Sequence, residues 1–192
     1  MRPILLSLVI LTVGCAGSPP PDQHLYMLRT GSALPTYESE LSVGIDSVTI
    51  APYLKRDQVM LQVGPQELRP ARYQRWAEPL DGNIRRYLRD RLSAELQTNV
   101  DASLRFRDRW QLQVDVVIEE LHGLLEGGAI LNAHYDVVPK GNPENARRGH
   151  VSARVEQSAP GYAALVDAQS ELLDQLARRI AEDIRAMQLS AP

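Results

Sequence analysis

Apolar residues recur at every fourth position from Leu80 through Ile84, Leu88, Leu92 and Leu96, with Tyr87 beside them. That period lays one stripe along a helix and predicts an amphipathic helix over Glu78–Thr98. Pro79 suits its first turn, where a missing backbone donor costs nothing. Leu165, Leu172, Leu176, Ile180 and Ile184 form a second stripe and predict a closing helix over Tyr162–Met187. Elsewhere the period is two. Leu25–Arg29 reads as a short strand, Leu41–Ile50 as a longer one and Gln58–Val63 as a third. The alternation in the second strand slips by one at Asp46-Ser47, which predicts a bulge there. Gly64-Pro65 predicts a turn, and Glu67-Leu68-Arg69 would complete a small hairpin. Trp110, Leu112, Val114, Val116 and Ile118 then alternate with polar residues. Gly127-Gly128 supplies a turn, and Ala129, Leu131, Ala133, Tyr135 and Val137 return on one face. A polar loop, Pro139–Arg148, leads to Val151, Ala153 and Val155. The last three strands read as an antiparallel meander with one face buried, and both helices need the apolar surface it offers. The fold class is α+β: a largely antiparallel sheet with two long helices packed on one side. Residues 24–192 form one domain without internal repeats.

Composition adds two constraints. Hydrophobic residues make up 44% and charged residues 23% of the chain, enough for a packed core. A net charge of −3 argues against a nucleic-acid surface, which needs a basic patch or stripe. The first fourteen residues are different in kind. Arg2 precedes the short apolar run Ile4–Val13, followed by Gly14 and Cys15. A positive start, a short apolar stretch and small residues describe a secretory signal, and the stretch is too short to span a bilayer. Cys15 is the chain's one cysteine. Val13-Gly14-Cys15 resembles the lipobox of bacterial lipoproteins, with Thr12 where leucine is usual. The resemblance implies cleavage before Cys15 and lipidation of its thiol, palmitate among the acyl groups. It fits a lone thiol, which is a liability in an oxidising compartment. Several acyl chains would anchor durably. Ala16, rather than aspartate, implies export to the outer membrane, on its periplasmic face. Residues 15–23 are then the lipidated cysteine and a proline-rich tether, Gly17–Asp22, which favours an extended spacer.

Catalytic chemistry finds little footing. No two of His24, His122, His134 and His150 have the i, i+4 spacing of a helical metal site. His134 and Asp136 share a strand face and could approach His150 across a hairpin, but alternation alone explains polar residues there. Asp115, Glu119 and Glu120 supply carboxylates, with nothing in the pattern to mark a cleft. No nucleophile elbow, phosphate-binding loop or cofactor motif is present. The expectation is a protein without catalytic residues, metal or cofactor, hence not an enzyme.

Two segments combine aromatic, arginine and proline residues outside the predicted elements: Ala51–Val59 and Arg72–Leu80. Such residues favour interfaces. Tyr53 and Leu54, on a loop, are expected to point outward, and Arg56, Arg75 and Trp76 complete a candidate partner-binding set. Trp76 fits equally well as a staple between helix start and sheet.

These segments carry a family resemblance. Tyr26-Met27-Leu28, then Ala51-Pro52-Tyr53-Leu54, Gln58-Val59, Arg75-Trp76-Ala77-Glu78-Pro79-Leu80, a strand begun by Trp110 and the closing helix resemble the ABC-type transport auxiliary lipoproteins, the PqiC-like family. Lys55 stands where that pattern often has aspartate. The resemblance implies a non-enzymatic, homo-oligomeric lipoprotein of the outer membrane. It would dock the MCE-domain protein of an inner-membrane transport complex that moves lipids or hydrophobic compounds across the periplasm. It also implies Tyr53, Leu54, Arg56 and Trp76 as contacts. A structural or assembly lipoprotein without a transport role is the first alternative, and a periplasmic hydrolase the second.

Overall fold

Alternation from Leu112 to Ile118 makes the centre of the sheet. In the computed structural model, which describes residues 22–31 and 36–189, β5 (Leu112–Leu124) buries Leu112, Val114, Val116 and Ile118 on one face. It pairs antiparallel with β6 (Ala129–Pro139), which buries Ala129, Leu131, Ala133, Tyr135 and Val137, and β6 pairs antiparallel with β7 (Arg147–Val155). Gly127 and Gly128 sit at φ 102° and 106°, and this left-handed backbone makes the β5–β6 turn. A β-bulge between Ile118 and Glu120 shifts the alternation, so that Leu121 and His122 turn inward.

The other edge of β5 is shared by two strands in succession. β2 (Val43–Ile50) runs parallel to it from Val43 opposite Leu112 to Ile50 opposite Ile118, with the expected bulge between Ile45 and Ser47. A 3₁₀ turn at Pro52–Lys55 then moves the chain away, and β3 (Gln58–Gly64) rejoins the same edge with Leu61 opposite Gly123. β3 pairs antiparallel with β4 (Glu67–Trp76), and β1 (His24–Tyr26) lies parallel to the end of β4. The seven strands form one sheet. The β3–β4, β5–β6 and β6–β7 ladders are antiparallel as expected, but three pairings are parallel: β1 beside β4, and β2 and β3 beside β5, to which they return through crossovers that periodicity does not reveal.

Both helices lie on the buried face. α1 (Leu80–Leu96) buries Leu80, Ile84, Tyr87, Leu88 and Leu92, and ends with Gln97 in left-handed conformation, its N–H bonding the Ser93 carbonyl. α2 (Tyr162–Leu189) buries Leu165, Leu172, Leu176, Ile180 and Ile184. α2 packs across β5, β6 and β7, and α1 across β2 and α2. The fold class is the expected α+β arrangement.

Three local expectations are corrected. Residues Arg72–Trp76 are not outside regular structure; they are the second half of β4, since the hairpin begun at Glu67 runs on to Trp76. The strand expected over Leu25–Arg29 pairs only from His24 to Tyr26. Beyond it the chain is held by Asn83 of α1, whose side chain accepts from the Leu28 N–H at 2.8 Å and donates to the Leu28 carbonyl at 3.1 Å. Trp110 precedes rather than begins its strand, which starts at Leu112.

The two ends of the sheet differ in what they carry. β3 runs parallel to β5, β4 opposite to β3, and β1 with β4. Tracing back from His24 to Asp22 therefore leads toward the C-terminal end of β5, where the β3–β4 and β5–β6 turns and the start of α2 lie. The opposite end carries the entry to β5, the β6–β7 loop and the end of α2.

Candidate partner-contact site

The segment Ala51–Val59 forms the corner where the chain leaves β5 and returns to it. The Ala51 N–H donates to the Ile118 carbonyl at 2.9 Å, and the Leu54 N–H donates to the Ala51 carbonyl at 2.9 Å. The tightness of this turn decides which side chains face out. Leu54 is 2% exposed and belongs to the core, which corrects its expected outward placement. A 3₁₀ turn has three residues per turn, so between exposed Pro52 and Lys55 one side chain must turn inward. Tyr53 is half-buried. Its ring meets His122 edge-on, and its hydroxyl lies 2.8 Å from His122 Nδ1.

His122 is 2% exposed, and its Nε2 lies 3.5 Å from Gln62 Oε1. Burial pushes the His122 ring below its ordinary pKa, partly opposed by Glu120. A neutral ring satisfies both contacts: the Tyr53 hydroxyl donates to Nδ1 and Nε2–H donates to Gln62. The Tyr53 phenol is pushed up to about 12, chiefly by burial, so it keeps its proton. This row is a buried polar brace joining the corner to β5 and β3. Sequence reading missed His122 and Gln62. The signal was the adjacent Glu119-Glu120, which breaks alternation one residue before Leu121-His122 turn inward.

The second segment meets the first at the same corner. The Trp76 N–H bonds the Asp57 carbonyl at 2.6 Å, and the Ala77 N–H bonds the Tyr26 carbonyl at 2.8 Å. Trp76 is 6% exposed and packs in the core ahead of α1, the staple role. Arg75 pairs with Asp57 across the β3–β4 ladder, and Arg86 of α1 pairs with Glu78. Arg56 is exposed, with no ion pair among the described residues. The structure therefore gathers all five candidates at one corner, but only Arg56 and the edge of Tyr53 face solvent freely. Cys15 lies outside the described residues.

The remaining titratable candidates are held within the sheet's polar face. His134 and His150 stack with centroids 4.5 Å apart, His134 Nε2 lies 3.5 Å from Glu119, and His150 lies 2.7 Å from the Asn132 side chain. Asp136 pairs with Arg148. Asp115 accepts from Ser47 at 2.5 Å and from Gln113 at 2.7 Å. Among the described residues no group of three or more His, Cys, Asp or Glu side chains is placed to hold a metal ion.

Comparison with known proteins settles the kinship. The profile of the ABC-type transport auxiliary lipoprotein component matches residues 26–181, from the last residue of β1 deep into α2. The chain belongs to that family. The match makes it a lipoprotein-family auxiliary component of transport, associated with the envelope. Solved structures agree on the fold. An uncharacterised protein is similar at TM-score 0.73 and 21% identity, covering 85% of this chain and 99% of its own. A Xanthomonas campestris protein is similar at TM-score 0.56 and 12% identity, covering 84% and 90%. Comparison with curated proteins gives no match.

Proposed function

We propose that this protein is an outer-membrane lipoprotein, anchored through Cys15 and facing the periplasm. It acts as a non-enzymatic docking component for the MCE-domain protein of an ABC transport system that carries lipids or hydrophobic compounds. The observation that carries this reading is the family match over residues 26–181, which takes in β2 to β7, α1 and most of α2. The lipobox-like Val13-Gly14-Cys15 supports the anchor. The corner supports a contact role of narrower extent than the sequence suggested. Arg56 and the open edge of Tyr53 are the contact residues, while Leu54, Arg75 and Trp76 shape the corner behind them. This corner lies part-way along β5, on the flank between the two ends of the sheet. A flank serves contact between copies of the chain in a homo-oligomer, leaving the ends for membrane and partner.

The test is fractionation and co-purification from cells carrying the transport system, with wild type and Cys15→Ala. The wild type is expected in the outer-membrane fraction, bringing the MCE-domain protein with it, and Cys15→Ala in the soluble periplasm. Wild type that reaches the outer membrane and brings only peptidoglycan-associated or assembly proteins would refute the transport reading.

A further inference from the structure

Leu104–Arg109 is a six-residue 3₁₀ helix in which no residue is buried. It holds Leu104 at 56% and Phe106 at 44% exposure, and Phe106 is the chain's one phenylalanine. An element built to pack would turn these two inward. Around them stand Arg105, Arg107 and Arg109 against Asp108 alone, in a chain whose net charge is −3. Arg107 is engaged with Asp46 at 2.8 Å. Arg109 lies over the Phe106 ring, 5.2 Å from its centre, and keeps that ring dressed in positive charge. The support beneath is firm. Trp110, 3% exposed, presses flat on Gly44, where even a Cβ would lie 1.9 Å from the indole. Lys140 of the β6–β7 loop adds a further cation by bonding the Asp108 carbonyl.

Position gives this tip its meaning. Leu104–Arg109 precedes the N-terminal end of β5, whereas Asp22 leaves toward the C-terminal end, and β5 spans about 40 Å at the usual strand rise. Asp22 follows Cys15 by seven positions, a reach of at most about 25 Å. A chain anchored at Cys15 thus keeps its tether end near the bilayer and turns Leu104–Arg109 away from it. We infer that this tip is the docking surface for the periplasmic transport partner, through a partner face with carboxylates around an apolar patch. The inference rests on the anchored, docking reading above and adds which end docks. Burial of Leu104 and Phe106 would supply the contact energy, and Arg105 and Arg109 would steer and orient the encounter.

The test places a photoreactive residue at Phe106 or, as control, at Leu125 of the β5–β6 turn, in the full lipidated chain in cells carrying the transport system. Position 106 is expected to crosslink the MCE-domain partner and position 125 not. A double variant, Arg105→Glu with Arg109→Glu, is expected to cut the partner recovered with the chain by about tenfold, with unchanged thermal melting. Partner adducts from 125 and not 106 would overturn the inference and leave the proposed function standing. So would phospholipid adducts from 106, or no adduct from either position while the partner still co-purifies. Loss of partner co-purification by the wild type itself would overturn both.

Discussion

His122 shows how one buried ring ties stability to pH. Its folded pKa lies below the ordinary value of about 6.5, so between the two the unfolded chain binds a proton that the folded chain refuses. The stability His122 contributes is therefore complete above about pH 6.5 and is lost as pH falls below it. Thermal melting of the wild type is expected to drop through that window, and His122→Gln to flatten this part of the profile. An unchanged slope in the variant would show that other groups carry the dependence. Tyr53→Phe removes the donor to His122 Nδ1 and is expected to cost about 1–3 kcal/mol by urea unfolding, since a buried acceptor loses its partner. Gly44 is decided by space rather than by hydrogen bonding. Gly44→Ala would drive a methyl group into the Trp110 indole and is expected to destabilise by about 1–3 kcal/mol.

At the scale of elements, the corner between β2 and β3 separates residues that shape from residues that touch. Trp76 fills the core beside the start of α1, so Trp76→Ala is expected to cost about 3–5 kcal/mol in unfolding. Arg56→Ala is expected to change stability by no more than about 0.5 kcal/mol, because Arg56 is exposed. A defect in oligomer formation from Arg56→Ala with unchanged melting, read by native mass spectrometry, would mark a contact residue. A loss of stability comparable to that of Trp76→Ala would make Arg56 structural. Asn83 illustrates a different use of a helix. It satisfies both backbone groups of Leu28 just past β1, substituting for a strand partner that the sheet does not supply.

For the whole molecule, one sheet with one continuous core implies cooperative unfolding. The two tryptophans report on different places: Trp76 lies beside the end of β1, at the corner part-way along β5, and Trp110 lies at the entry to β5. Urea transitions followed at each tryptophan, in Trp76→Phe and Trp110→Phe variants, are expected to track the far-ultraviolet circular dichroism transition of the same variant. Separated transitions would divide residues 24–192 into more than one folding unit.

Periodicity in the chain determined a great deal by itself. Stripes every fourth residue located α1 and α2, alternation located β5, β6 and β7, and Gly127-Gly128 located their turn. These patterns are local consequences of which face meets the core, so they are legible without the fold. The slip at Asp46-Ser47 announced its bulge for the same reason. Only tertiary structure decided what β2 and β3 pair with, since parallel return to β5 depends on crossovers that leave no period. It also decided the fate of the candidate site. The brace from Tyr53 through His122 to Gln62 and the capture of Arg75 by Asp57 each join residues far apart in the chain. What a side chain faces at such a corner is set by its neighbours in space, and the order of residues along the chain does not contain it.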